Sequence, residues 1–148
     1  LSDLNELAIG TAQFGIPYGV ANSNKMLSFE KVSAILDRAI RAKIDTIDTA
    51  TVYGESEERL GKYGVSDLKV VTKISVRGVK EANFEGWLLN ELENSLLKLG
   101  IDKLYGVLVH DPSAIFEGGG KPVLNGLRKA KDLGLAHSIG VSIYSKNE

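Results

Sequence analysis

A chain of 148 residues, 43% hydrophobic and 25% charged, has the length and composition of a single globular domain with its own core. Its net charge is −1, from 18 basic and 19 acidic residues without a basic block, so neither a nucleic acid nor an acidic membrane is an expected partner. The absence of cysteine excludes disulfides and favours a cytoplasmic location, two histidines argue against a metal site, and no apolar run approaches the roughly 18 residues of a membrane span.

Apolar, β-branched segments alternate along the chain with longer segments of helical periodicity. Strands are expected at residues 7–11, 44–49, 69–74, 104–110 and 138–143. Helices are expected at residues 28–43, 55–62, 81–99 and 122–133. Ser28 has the side chain of an N-cap, and Gly100 and Gly134 are helix stops. This alternation predicts right-handed βαβ units and a parallel sheet.

Two parallel architectures are compatible with this pattern. A doubly wound sheet of five strands would be complete at this length. A (β/α)8 barrel would be about half complete, since such domains usually need roughly 250 residues. In both architectures the reactive groups collect at the C-terminal ends of the strands, so the residues at those ends decide between functions.

Four ionisable side chains are expected at one rim of the sheet: Asp48, Tyr53, Lys73 and His110. Each alone has an ordinary interpretation, as a turn cap, a packing residue, a lysine reaching solvent or a turn histidine before a proline. Their convergence at the same edge of the sheet favours a catalytic site over four separate structural roles. By contrast, strand alternation separates Asp45 from Asp48, and we interpret Asp45 as solvated or as capping a neighbour.

The four side chains form a chemically coherent set. A free phenol has a pKa of about 10, too high for an efficient proton donor near neutrality, and a nearby ammonium such as that of Lys73 favours phenolate. Asp48 would hold the lysine in place, and a neutral His110 could hydrogen-bond a carbonyl oxygen. Such a set donates a proton to an oxygen that becomes negative, as a carbonyl oxygen does when hydride reaches its carbon.

The segments DTATVYG, VVTK and VLVH, which carry these four residues, resemble the catalytic tetrad of the aldo-keto reductases. The similarity extends to IGTAQFG, ESEERLG, LLKLGIDKLYGVLVHDP and IGVSIYS, and so covers nearly the whole chain in order. It implies an α/β fold of the (β/α)8 TIM-barrel type, present as a partial barrel of about five parallel strands and four helices. It also implies reduction of small-molecule aldehydes or ketones with NADPH or NADH.

The resemblance assigns roles to individual residues. Tyr53 would be the general acid, tuned by Lys73 and Asp48, and His110 would orient the carbonyl. The cofactor-binding positions would be Gly10, Thr11, Asp48 and Ser142, the serine holding the nicotinamide carboxamide. Members of the family often have Asn after that serine, where this chain has Ile143, so one carboxamide hydrogen bond is in doubt.

By the same resemblance, residues 1–148 are the N-terminal part of a single barrel domain, a truncated form with the tetrad but without most of the cofactor site. The alternative function is a non-catalytic half-barrel module that acts through self-association, because an incomplete barrel leaves an open sheet edge. A five-stranded nucleotide-binding domain has little support, since no glycine-rich fingerprint follows a strand.

Two further segments are assigned on local grounds. Glu57 and Glu58 favour the N-terminus of a helix and are not interpreted as an acid–base dyad. Residues 14–22 (FGIPYGVAN) would lie at the barrel mouth and shape the substrate side, or form a structural turn.

Overall fold

A computed structural model describes residues 7–19, 25–80, 82–116, 120–143 and 145. The strands are β1 (Ala8–Gly10), β2 (Thr46–Asp48), β3 (Lys69–Ile74), β4 (Leu104–Val109) and β5 (Ala136–Val141). The helices are α1 (Ala12–Gly15), α2 (Phe29–Arg41), α3 (Ser56–Tyr63), α4 (Phe84–Leu99), α5 (Ser113–Phe116) and α6 (Gly120–Asp132).

The five strands and the four long helices confirm the predicted alternation. Ser28 is the N-cap of α2, with its hydroxyl accepting a hydrogen bond from the Lys31 amide at 3.4 Å, and Gly100 ends α4 in the left-handed conformation with φ of 65°. The one-turn helices α1 and α5 were not predicted, because four residues are too few to display a helical period. β5 starts and ends earlier than predicted, so Ser142 follows the strand.

The sheet is parallel throughout, and its strand order is β1-β2-β3-β4-β5. A doubly wound sheet reverses its direction of growth at a switch point, whereas a barrel adds each strand beside the previous one. The sequential order therefore identifies the barrel type of α/β fold, present here as five parallel strands. Asp48 of β2 lies in register with Gly10 of β1 and Val71 of β3. The last residues of β1 and β2 are therefore level with one another, and β3 continues beyond them to Ile74.

The hydrophobic core lies between the sheet and the helices. Right-handed crossovers between sequential strands place the connecting helices on the same side of the sheet, where α3 contacts α4 and α4 contacts α6. Val70, Thr72 and Ile74 of β3 are buried under these helices, and the alternate residue Lys73 faces the other side. The largest fully buried side chains of this layer are Leu36, Ile47, Leu60, Ile74, Leu88, Leu92, Leu99, Leu104 and Leu127.

Among the described residues, no helix combines the length and the apolar character needed to cross a membrane. The same part of the chain contains no group of three His, Asp or Glu residues placed to hold a metal ion.

Candidate functional site

The C-terminal ends of three neighbouring strands bring the predicted tetrad together. Asp48 is the last residue of β2, Lys73 is the penultimate residue of β3, and His110 directly follows β4. Tyr53 lies in the turn between β2 and α3. The topology explains this convergence, because parallel strands in sequential order present their carboxyl ends at one rim.

Asp48 and Lys73 form an ion pair, with Lys73 Nζ 2.6 Å from Asp48 Oδ1. The lysine side chain is only 9% exposed and the aspartate side chain 37%. Lys73 Nζ also donates a hydrogen bond of 3.1 Å to the carbonyl oxygen of Thr49. An ammonium taken out of water needs such partners, since a buried charge without them would be strongly destabilising.

Tyr53 lies near both this ammonium and the histidine. Lys73 Nζ is 5.4 Å from the centroid of the Tyr53 ring, and the His110 ring meets the Tyr53 ring edge-on, with centroids 6.1 Å apart and an interplanar angle of 86°. The phenol therefore has a cation and an imidazole as near neighbours, the combination that the sequence predicted.

The backbone around His110 is held by a hydrogen bond to β3 and by hydrogen bonds within the turn that follows it. The His110 amide donates to the Ile74 carbonyl at 2.9 Å, which continues the β3–β4 pairing past the strand end. Asp111 Oδ1 accepts hydrogen bonds from the amide and the hydroxyl of Ser113 at 3.0 and 2.8 Å. These hydrogen bonds from Ser113, assisted by Arg77, hold the pKa of Asp111 below its ordinary value, so the carboxylate is a stable anchor beside His110.

The Tyr53 loop is packed backbone to backbone against α1. A Cβ added to Gly15 would lie 1.8 Å from the Tyr53 carbonyl oxygen and 2.3 Å from the Ser56 amide nitrogen. Gly54 has φ of +55°, and a Cβ there would lie 2.4 Å from the Gly15 carbonyl oxygen. Both glycines are therefore required by this contact, which holds the loop from the side.

Three buried hydroxyls lie beneath the same loop; we call Thr11, Thr49 and Ser56 the hydroxyl cluster. Ser56 Oγ is 2.9 Å from Thr11 Oγ1 and 3.1 Å from Thr49 Oγ1. All three residues are fully buried. Thr49 and Ser56 were not predicted as functional residues, because short polar side chains in the segments DTAT and GES are their only signal in the sequence.

A cleft of about 310 Å³ opens beside the tetrad. It lies between the end of β1, the segment that follows α1, and the tetrad, and its lining residues are Gly10, Thr11, Ala12, Gln13, Tyr18, Gly19, Asp48 and Tyr53. Gln13 Nε2 donates a hydrogen bond of 2.8 Å to the Tyr18 carbonyl oxygen across its mouth. Tyr18 and Gly19 of the FGIPYGVAN segment thus line the cleft, Phe14 and Gly15 are buried, and residues 20–22 are outside the described residues.

Four of the predicted site residues, Gly10, Thr11, Asp48 and Tyr53, line this cleft. Ser142 is on the same rim, where its amide donates to the Val109 carbonyl at 2.9 Å, but it is not among the residues that line the cleft.

The acidic pair at the start of α3 divides into two environments. Glu57 is buried, and its carboxylate accepts hydrogen bonds from the hydroxyls of Thr72 at 2.7 Å and Ser95 at 3.2 Å. Glu58 is exposed, 3.6 Å from Lys98 Nζ. Glu57 thus joins α3 to β3 and α4, a role that its position at a helix N-terminus did not suggest.

Known proteins resemble this chain in both sequence and structure. The profile of the Aldo/keto reductase family matches residues 6–148. Aldo-keto reductase AKR2E4 of Bombyx mori is 29% identical over the whole chain and 50% of its own length. The crystal structure of PA4992, an aldo-keto reductase of Pseudomonas aeruginosa, superposes with a TM-score of 0.75 at 30% identity, over 91% of this chain and 54% of that one.

The crystal structure of the Bombyx mori enzyme in complex with NADP superposes with a TM-score of 0.66 at 28% identity, over 91% of this chain and 45% of that one. The chain thus spans about half the length of these relatives. The match of a family profile to nearly the whole chain, on a sheet of the expected topology, shows that the chain belongs to the aldo/keto reductase family.

Proposed function

We propose that the protein reduces the carbonyl group of small aldehydes or ketones to an alcohol with hydride from NADPH or NADH, and that Tyr53 is the general acid. The observation that carries the proposal is the position of the Tyr53 ring, which lines a cleft and has both the Lys73 ammonium and the His110 imidazole as near neighbours. The proposal concerns the full-length protein, since the chain spans about half the length of its relatives.

The proton step follows from the neighbours of the phenol. Tyr53 donates its proton to the carbonyl oxygen, where negative charge develops as hydride reaches the carbon. The Lys73 ammonium favours the phenolate that remains after transfer, because opposite charges at short distance stabilise one another. Asp48 fixes the lysine through the 2.6 Å ion pair, and His110 donates a hydrogen bond that orients the substrate oxygen.

The cleft supports a nicotinamide beside the tetrad. A Cβ added to Gly10 would meet no atom within 4 Å, so the backbone at the end of β1 faces open space into which a flat ring can pack. Thr11 and Asp48 line the same space, and Ser142 lies along the rim, where its hydroxyl would hold the carboxamide. The nicotinamide supplies the hydride when bound. A relative bound to NADP supports the choice of cofactor.

We further propose that residues 1–148 are the N-terminal part of one barrel domain. A cytoplasmic location remains a prediction from composition. The family membership favours this enzyme over a non-catalytic module that acts through self-association.

The full-length protein should oxidise NADPH, followed by absorbance, when supplied with small aldehydes. Tyr53→Phe removes the transferable proton and should lower kcat by about 10²–10⁴-fold. Tyr63→Phe, which removes a phenol at the other end of α3, is the matched control and should retain the rate. Cofactor binding, measured by fluorescence, should be unchanged in both variants. Full activity of Tyr53→Phe would exclude the assignment.

A further inference from the structure

We propose that the hydroxyl cluster of Thr11, Thr49 and Ser56 is a positioning device that fixes the Tyr53 loop relative to Lys73, an inference that rests on the proposed function. Thr49 and Ser56 are fully buried and do not line the cleft, so neither would touch substrate or cofactor. Their action on the reaction would pass through the residues they hold, which makes them positioning residues.

The three hydroxyl protons can be assigned without conflict. The Thr11 hydroxyl donates to the Asp48 carbonyl at 3.0 Å. The Ser56 hydroxyl donates to Thr11, whose Oγ1 and carbonyl oxygen lie 2.9 and 3.1 Å away. The Thr49 hydroxyl donates to Ser56 Oγ at 3.1 Å. Each hydroxyl uses its single proton once, and each is satisfied in a site from which water is excluded.

The cluster is one step from three tetrad residues. The carbonyl of Asp48 accepts from Thr11, the carbonyl of Thr49 accepts from Lys73 Nζ at 3.1 Å, and the amide of Ser56 donates to the Tyr53 carbonyl at 3.1 Å. The acid, the ammonium and the carboxylate are thus tied to one set of buried hydrogen bonds. Removal of the Ser56 hydroxyl would leave the buried Thr49 hydroxyl without an acceptor, and removal of the Thr49 hydroxyl would take from Ser56 Oγ the hydrogen bond that it accepts. In either case the loop would shift to compensate for the lost hydrogen bond.

Glu57, the neighbour of Ser56, provides the contrast that tests this role. It anchors the same turn of α3 through Thr72 and Ser95, but its hydrogen bonds go to side chains of β3 and α4 and not to the loop that carries Tyr53. Thr72 is as deeply buried as Thr49 and also donates its hydroxyl to α3. Thr49→Val and Thr72→Val are therefore a matched pair of variants. Each removes one buried hydroxyl, but only the Thr49 hydroxyl belongs to the cluster that holds the Tyr53 loop.

The first experiment compares Thr49→Val, Thr49→Ser and Thr72→Val in the full-length protein. Thr49→Val keeps the shape and removes the hydroxyl, and should lower kcat by about 10–100-fold, because small displacements of a catalytic group are costly, while KM for the cofactor stays within about twofold. Thr49→Ser restores the hydroxyl and should recover the rate. Thr72→Val should lower the unfolding temperature and leave kcat unchanged. Equal kcat values for the two valine variants would overturn the proposal.

The second experiment does not depend on turnover. With ¹³C-labelled tyrosine, the ring resonance of Tyr53, assigned with Tyr53→Phe, should move in Thr49→Val and stay in place in Thr49→Ser and Thr72→Val. Ser56→Ala should shift the Tyr53 resonance in the same way, and it replaces Thr49→Val in this experiment if that variant fails to fold. An unmoved resonance in the Thr49 and Ser56 variants rejects the positioning role. A moved resonance in a protein that reduces no carbonyl compound rejects the proposed function and keeps the positioning role.

Discussion

The two ends of the β2–α3–β3 unit carry the same chemical groups in different surroundings. At the cleft end, Asp48 and Lys73 are 2.6 Å apart, and the lysine side chain is 9% exposed. At the opposite end, Asp45 and Lys69 are 2.8 Å apart, with side chains 40% and 46% exposed. The two distances are alike, so burial and neighbours, rather than pairing, distinguish a candidate catalytic pair from a surface ion pair.

Each end also has a tyrosine. The neighbour of one tyrosine is a cation, and the neighbour of the other is an anion. Tyr53, before α3, lies beside the Lys73 ammonium, whereas Tyr63, the last residue of α3, donates a 2.7 Å hydrogen bond to Asp37 Oδ1. Burial, supported by the Asp37 carboxylate, raises the pKa of Tyr63 to about 12. One helix thus has a phenol beside an ammonium before its first turn and a phenol hydrogen-bonded to a carboxylate at its last residue.

The largest effect is expected from replacing the two lysines one at a time. Lys73→Met leaves the Asp48 carboxylate without its partner, and should lower kcat by about 100-fold or more. It should also reduce the free energy of unfolding by about 2 kcal/mol, below the value for fully buried pairs because Asp48 is partly exposed. Lys69→Met breaks an exposed pair and should change neither quantity measurably. Chemical unfolding measures the free energy of unfolding, and steady-state kinetics measure kcat. If Lys73→Met and Lys69→Met changed these quantities equally, the distinction between the two ends would be wrong.

A smaller effect on activity, with a comparable effect on stability, is expected from adding one methyl group at the cleft end. Gly15→Ala drives a Cβ into the Tyr53 carbonyl, and should lower the free energy of unfolding by about 1–3 kcal/mol and displace the loop. The matched control is Gly106→Ala in β4, where the nearest atoms to the new Cβ are the Val71 methyls at 3.6 Å. Only Gly15→Ala should lower the rate of carbonyl reduction. A Gly15→Ala protein as active and stable as Gly106→Ala would contradict the contact.

The smallest effect concerns pH and the opposite end of α3. Because the folded state raises the pKa of Tyr63 from 10 to about 12, the stability that its neutral phenol contributes is complete below pH 10 and is lost as the pH rises towards 12. An ultraviolet titration should show one phenol ionising near pH 12, and that step should disappear in Tyr63→Phe. Asp37→Asn should lower the midpoint without changing activity. A Tyr63 midpoint near 10 in the unsubstituted protein would reject this assignment.

The rim of the site was predictable because it depends on strand ends. Asp48, Lys73 and His110 follow runs of β-branched residues, and parallel strands bring their carboxyl ends together whatever lies between them. The choice of barrel over doubly wound sheet needed the resemblance, because local periodicity does not contain the strand order.

What the sequence could not supply were contacts between distant segments. Ser56 donates a hydrogen bond to Thr11, which is 45 positions away in the chain, and no sequence pattern indicates which residue a buried serine will contact. Gly15 resembles any turn glycine until the Tyr53 carbonyl is found beside it. The start of β5 was placed too late because Ala136 and His137 lack the β-branched side chains that mark the other strands.

The sequential strand order also bears on how the protein is made. Every strand in the sheet from β2 onward pairs with the strand synthesised just before it, so each of these strands finds its neighbour already made. As the chain leaves the ribosome, each new βα segment can dock on a finished edge, in the order in which N-terminal parts fold first. The Asp48–Lys73 ion pair would then form as soon as β3 docks on β2, before β4 and His110 join the sheet.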